Sequence, residues 1–145
     1  MLTDIYNYLP ISDRLATAGQ PTADQFAAIA QADFAVVINL AMPTSTNALP
    51  DEQAVVEAQG MTYCPIPVEW EHPTLRDFQQ FATVMSQYGE QKVFVHCAMN
   101  MRVSAFVYLY RRLRGVSQAA AAADLAKIWQ PNATWQHFME AVLGE

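Results

Sequence analysis

Short apolar runs alternate along this chain with stretches whose apolar residues recur every three or four positions. Ala35 to Leu40 reads Ala-Val-Val-Ile-Asn-Leu, Met61 to Pro67 gives a second such run, and Lys92 to His96 a third. The first is typical of a buried strand, and the other two read as further short strands. Arg14 to Ala18 predicts a short edge strand ending at Gly19-Gln20-Pro21. Between these lie helical patterns with start and stop signals. Thr22 reads as an N-cap with Gln25 three residues later to complete a capping box, and Phe26, Ile29 and Ala30 follow at helical spacing. A polar loop, Met42 to Leu49, leads to Pro50 as a first helical residue, and that helix stops near Gly60. Thr74 caps a further helix whose buried stripe is Phe78, Phe81, Ala82 and Met85, and Gly89 ends it. A helix opening at Arg102 or Val103 runs to about Arg114 and is apolar almost all round in its first turns, which predicts a central position. Arg111, Arg112 and Arg114 suit the negative end of its dipole. Ser117 and Thr134 cap two last helices.

Strands separated by helices at short intervals predict an α/β fold, one domain over residues 1–145, with a parallel-rich central sheet of about four to five strands flanked by helices. Ligands in such sheets bind beyond the carboxyl ends of the strands, which directs attention to the turn after His96.

Composition narrows the partners. With 52% hydrophobic and 15% charged residues, the chain has enough apolar surface to build a core. No apolar run approaches the ~18 residues of a membrane span, so no membrane partner is expected. A net charge of −6 argues against nucleic acid and requires that an anionic ligand be drawn by a local site. Two cysteines, Cys64 and Cys97, are too few for a disulfide scaffold and fit a reducing, cytoplasmic compartment. The N-terminus lacks a basic-then-apolar signal, and a periplasmic location stays open for a chain whose signal has been removed. His137 sits in a helical pattern with no Cys or His ligand set nearby, so no metal site is expected.

The chemistry concentrates in Val93-Phe94-Val95-His96-Cys97-Ala98-Met99-Asn100-Met101-Arg102-Val103-Ser104. The order is strand, tight loop, helix N-terminus. Backbone N–H groups at such a place converge on an anion and the helix dipole adds positive potential. A cysteine there is expected as a nucleophilic thiolate. Arg102 offers a planar fork for two phosphate oxygens. The same cysteine could instead be a small buried hydrophobe, and the same arginine could pair with a surface carboxylate.

His96-Cys97 with Arg102 after a buried strand resembles the cysteine-dependent protein tyrosine phosphatase superfamily. Leu15-Ala16-Thr17-Ala18-Gly19-Gln20-Pro21-Thr22, Val37-Ile38-Asn39-Leu40, Ile66-Pro67-Val68 and Val95-His96-Cys97 resemble its bacterial branch related to beta-lactamase-hydrolase-like proteins. The resemblance implies a dual-specificity-phosphatase-like fold and hydrolysis of phosphate monoesters through a cysteinyl phosphate. Cys97 would be the nucleophile and Arg102 the phosphate clamp, and His96 would orient the loop. His96, Ala98, Met99, Asn100, Met101, Arg102 and Ser104 would form the phosphate-binding loop. No metal or organic cofactor is implied. The partner would be a phosphorylated small molecule or protein, with phosphate or sulfate held in the loop.

The chain departs from the superfamily pattern in four places. Four residues, not five, separate Cys97 from Arg102. The usual loop glycine is absent, and Asn100 is the residue best able to take its left-handed backbone. The residue after Arg102 is Val103 rather than Ser or Thr, with Ser104 one place later. The usual general-acid Asp is missing from Val68-Glu69-Trp70-Glu71-His72-Pro73, where Glu69 or Glu71 could donate the proton. Glu69, Glu71 and His72 also fit a solvated loop, and Trp70 fits a pocket wall or simple packing. Two other functions remain open: a phosphate-binding module of low turnover, and a rhodanese-like sulfurtransferase or redox-sensing domain in which Cys64 could pair with oxidised Cys97. Tyr6, Tyr8 and Trp135 acquire no role from the sequence.

Overall fold

The computed structural model describes residues 1–145. Five strands build its sheet: β1 (Leu9–Ser12), β2 (Leu15–Ala18), β3 (Val36–Asn39), β4 (Thr62–Pro65) and β5 (Val93–His96), in the order β1-β2-β5-β3-β4. β1 runs antiparallel to β2 and every other pairing is parallel. The helices are α1 (Ala23–Gln31), α2 (Glu52–Ala58), α3 (Leu75–Gln87), α4 (Met101–Leu113), α5 (Gln118–Ala126) and α6 (Ala133–Leu143). None is long and apolar enough to cross a membrane.

The three apolar runs become β3, β4 and β5, as expected from their composition. β5 lies between β2 and β3, and all four of its residues are buried. Its side chains alternate between the two faces of the sheet, as the pleat requires. Val93 and Val95 join the larger core cluster with Phe78, Phe81, Phe106 and Trp135. Phe94 joins the smaller one with Phe26, Ile29 and Phe34. That alternation carries past the strand end. The His96 ring lies edge-on to Phe26, with centroids 5.8 Å apart, on the Phe94 side. Cys97 belongs to the other cluster. Adjacent residues thus serve opposite faces.

The capping predictions hold at Thr22, Thr74 and Ser117; the first two close full capping boxes with Gln25 and Asp77. Four expectations are corrected. Leu15–Ala18 is an interior strand, because β1 covers its outer edge. β1 gives little sequence signal: its four residues include Pro10 and are only alternately half-buried. Pro50 precedes α2, whose N-cap is Asp51 in a left-handed conformation. α4 opens at Met101, one residue before the earliest expected start. The last helix is capped by Asn132, whose Oδ1 accepts from the Trp135 N–H at 3.0 Å, and not by Thr134, which lies inside its first turn.

Candidate active site

Cys97 to Asn100 bridge β5 and α4 at the carboxyl end of the sheet. Every carbonyl of this turn is tied outward. Cys97 O faces His96 Nδ1 at 3.1 Å. Ala98 O accepts from the Gln20 N–H and the Asn47 amide, both at 3.1 Å. Met99 O accepts from the Asn7 amide at 3.0 Å, and Asn100 O accepts from the Ser104 N–H. A peptide's C=O and the next residue's N–H point in opposite directions. Pinning the carbonyls outward therefore turns the following N–H groups inward. The N–H groups of Ala98, Met99, Met101, Arg102 and Val103 donate to no acceptor in the protein. Five free donors beside a helix N-terminus are an arrangement that suits an anion.

The shorter loop closes through Asn100. Its φ of 67° is the left-handed conformation expected in place of glycine. Its Nδ2 donates to Asn7 O at 2.9 Å and to Thr17 Oγ1 at 3.1 Å, so this fully buried side chain ties the loop to the N-terminal segment and to β2. Gly19 is required by close approach rather than by φ. A Cβ there would stand 2.7 Å from Ala98 O and 2.8 Å from the Tyr6 ring.

Behind the cradle lies a buried polar network that the sequence did not disclose. His96 Nε2 is 2.6 Å from Glu52 Oε2. Glu52 also accepts from Gln20 Nε2 at 2.7 Å and Asn39 Nδ2 at 3.1 Å, and Asn39 Nδ2 reaches the Tyr63 hydroxyl at 3.0 Å. Burial alone would raise the Glu52 carboxyl, but the hydrogen bond and charge of His96, with help from Gln20 and Tyr63, hold it below its ordinary 4.5. Burial first, and then the Glu52 charge, push the Tyr63 phenol up to about 12 against the opposing Asn39 bond. An asparagine ending the otherwise apolar β3 was the one available signal. Glu52 itself looked like an ordinary acidic residue in a first helical turn.

The depressed carboxyl has a consequence for stability. The unfolded chain binds the Glu52 proton more tightly than the folded one. The contribution of ionised Glu52 is therefore complete above pH about 4.5 and is lost as pH falls through the lower folded value. Urea midpoints measured from pH 7 down to pH 3 should fall below pH about 4.5, and Glu52→Gln should flatten that fall. Equal acid sensitivity in the variant would contradict this assignment.

Arg102 is buried, 7% exposed, and donates from Nη1 to the Val68 carbonyl at 3.0 Å. It pairs with no carboxylate, unlike Arg111, which meets Asp124 at 2.7 Å. Val68 begins the loop that carries Glu69 and Glu71. Both glutamates are exposed, and neither side chain bonds to the cradle. Trp135 anchors this loop by donating its indole N–H to Trp70 O at 2.9 Å. All three tryptophans of the chain cluster there, Trp70 lying 5.2 Å from Trp129 and 5.7 Å from Trp135. Trp70 combines packing with a partly exposed face. The Ser104 hydroxyl does not serve the loop cysteine: it bonds to Met101 O at 2.9 Å and accepts the Trp129 indole N–H at 3.0 Å. Cys64 is no partner for Cys97. It lies opposite Ile38, itself opposite Val95. Two strand spacings, roughly 9–10 Å, separate it from β5, beyond the ~7 Å that disulfide Cα atoms tolerate. A cavity of about 680 Å³ opens on the other side of the network, lined by Gln20, Asn39, Glu52 and Tyr63 and by the Met42 to Leu49 loop.

A mostly parallel sheet with a Cys-to-Arg anion cradle at its carboxyl end defines the dual-specificity-like class of α/β phosphatase domains. Residues 9–140 match the family PTP-NADK, described as "DSP-PTPase phosphatase fused to NAD+ Kinase", and the chain belongs to it. A beta-lactamase hydrolase-like protein of Agrobacterium fabrum is 30% identical over 120 residues, 81% of this chain. The chain spans 28% of that relative's length. A crystal structure of a DUF442 protein from Shewanella putrefaciens superposes with a TM-score of 0.88 at 33% identity, covering 99% of this chain and 95% of the other. TpbA of Pseudomonas aeruginosa, solved in complex with pTyr, shares the fold at 17% identity, with a TM-score of 0.71 over 95% of this chain and 86% of its own.

Proposed function

We propose that this chain is a cysteine-dependent phosphatase of phosphate monoesters, with aryl esters such as phosphotyrosine as its natural class. The observation that carries this reading is the cradle. The loop carbonyls are all bonded, the N–H groups of Ala98, Met99, Met101, Arg102 and Val103 beside Cys97 have no protein acceptor, and Arg102 stands in the first turn of α4. Such donors hold the equatorial oxygens of a transferring phosphoryl group without reorganising. The complex of TpbA with pTyr supports the substrate class by likeness of fold.

The Cys97 thiolate attacks phosphorus in line, the S–P bond forms and the P–O bond to the leaving alcohol breaks. Glu69 or Glu71 gives its proton to the departing oxygen. The same carboxylate then takes a proton from water, whose oxygen attacks the phosphorus. The S–P bond breaks, inorganic phosphate leaves, and the thiolate returns. His96 orients the loop throughout. The substrate is a phosphorylated small molecule or protein.

Rapid acid quench during turnover of an aryl phosphate tests this reading. One phosphoryl group should appear on the Cys97 peptide by mass spectrometry. Phosphate release without any such adduct would overturn the covalent route. Separate Glu69→Gln and Glu71→Gln variants identify the acid. The responsible one should lose ~10²–10³-fold in kcat, more with phenyl phosphate than with a nitrophenyl ester, whose oxygen leaves without help. Equal losses on both esters would remove both glutamates from that role.

A second reading has its own observation. Cys97 is only 1% exposed, and Arg102 already spends one N–H on Val68. These features fit a module that binds phosphate with little turnover. Calorimetric binding of inorganic phosphate with no hydrolysis of any aryl ester would favour it.

A further inference from the structure

We propose that Glu52 is a positioning residue of this site, and that it holds His96 as an imidazolium donating one ring N–H to the Glu52 carboxylate and the other to the Cys97 carbonyl. The consequence for turnover rests on the phosphatase reading; the placement of the protons does not.

His96 is fully buried, so water cannot complete its hydrogen bonds. Its two nitrogens face Glu52 Oε2 at 2.6 Å and Cys97 O at 3.1 Å. A carbonyl only accepts, so Nδ1 must carry a proton. A proton must also lie between Nε2 and Oε2. The carboxylate already accepts from the Gln20 and Asn39 amides. Two amide donors already on this one carboxyl favour its ionised form and leave the shared proton on the ring. Around His96, α2 supplies Glu52, and β4 supplies the Tyr63 hydroxyl through Asn39. α1 supplies only the Phe26 ring, and the loop supplies Cys97. Glu52 is thus the single acidic neighbour able to compensate the ring's charge.

The arrangement controls the first peptide of the cradle. The Cys97 carbonyl and the Ala98 N–H belong to one rigid plane and point oppositely. With the carbonyl held by Nδ1–H, the Ala98 N–H is aimed into the anion site. A ring fixed at both nitrogens cannot tilt. Were Glu52 neutral, the ring would lose its second anchor and the plane would turn more freely. A positive charge one residue from the thiol would also be lost.

Nitrogen-detected NMR of the full chain reads this directly, because the chain has only three histidines. His72 and His137 are exposed and serve as internal references. At neutral pH both His96 nitrogens should appear protonated, as their two acceptors, Glu52 Oε2 and Cys97 O, require. A singly protonated His96 ring in the wild-type protein would overturn the proposal. Glu52→Gln should return His96 to one ring proton. It should also lower kcat by about tenfold or more, with little change in KM, and displace the acid limb of the kcat/KM profile. An unmoved profile in a folded Glu52→Gln protein would remove the positioning role. Absence of turnover in the wild type, beside a doubly protonated ring, would count against the phosphatase reading and leave the proton assignment standing.

Discussion

Cys97→Ser is expected to abolish phosphate release from an aryl ester while the protein stays folded. The two side chains are nearly isosteric, but a serine hydroxyl is scarcely ionised near neutral pH and no base stands within hydrogen-bond reach of this position in the structure. Losing the nucleophile should cost on the order of 10⁴-fold or more in kcat, equivalent to about 5.5 kcal/mol of barrier. Binding should persist, because the N–H groups and Arg102 that hold the anion are untouched. Calorimetry with inorganic phosphate and steady-state hydrolysis, run on the same preparation, give both numbers. A modest loss of stability, about 1–3 kcal/mol, should accompany the change, since a hydroxyl replaces a thiol at the rim of the larger core cluster. Wild-type hydrolysis by Cys97→Ser would end the proposed mechanism.

Trp135→Ala should give the largest loss of stability. Trp135 leads the fully buried side chains in volume, and its ring packs against Phe106, Phe138, Trp129 and Trp70. Large-to-small changes at such positions cost roughly 3–5 kcal/mol, partly from lost transfer energy and partly from the cavity left behind. Urea unfolding followed by far-UV circular dichroism reads that cost. The indole N–H also holds Trp70 O, so the Glu69 to Pro73 loop should loosen in the same variant. Trp135→Phe separates the two roles. It should recover much of the stability and leave the loop unlatched, visible as faster amide exchange at Trp70 to His72. Stability within 1 kcal/mol of wild type after Trp135→Ala would mean that the aromatic cluster contributes far less than its burial implies.

Features that were legible in the sequence follow local rules. β5 announced itself as an apolar run, and the two residues after its third valine-type position, His96 and Cys97, fell on opposite faces because the pleat alternates. Thr22 and Thr74 carried their own capping partners. Asn100 took the left-handed angle that its side chain tolerates best. Features that were not legible depend on distant chain segments. Leu9–Ser12 becomes a strand only because β2 offers it an edge. Thr134 was read as the last cap, but the bond from the Trp135 N–H goes to Asn132, two residues earlier. Glu52 sits 44 residues before His96, and no periodicity links them. Trp135 had no role until the loop it anchors was placed 65 residues away. Ser104 stood one place past the usual hydroxyl position, and within α4 its hydroxyl turns back onto Met101 O.

The anchors of the anion loop come from far along the chain. Asn7 lies 93 residues from Asn100, and Asn47 lies 51 residues from Ala98. Closing so large a circuit costs entropy that only the finished sheet repays. The shape of the anion loop therefore depends on the amino-terminal stretch returning to meet the turn between β5 and α4. A dozen residues carrying the same Cys and Arg, grafted elsewhere without those remote tethers, would inherit the letters and not the shape.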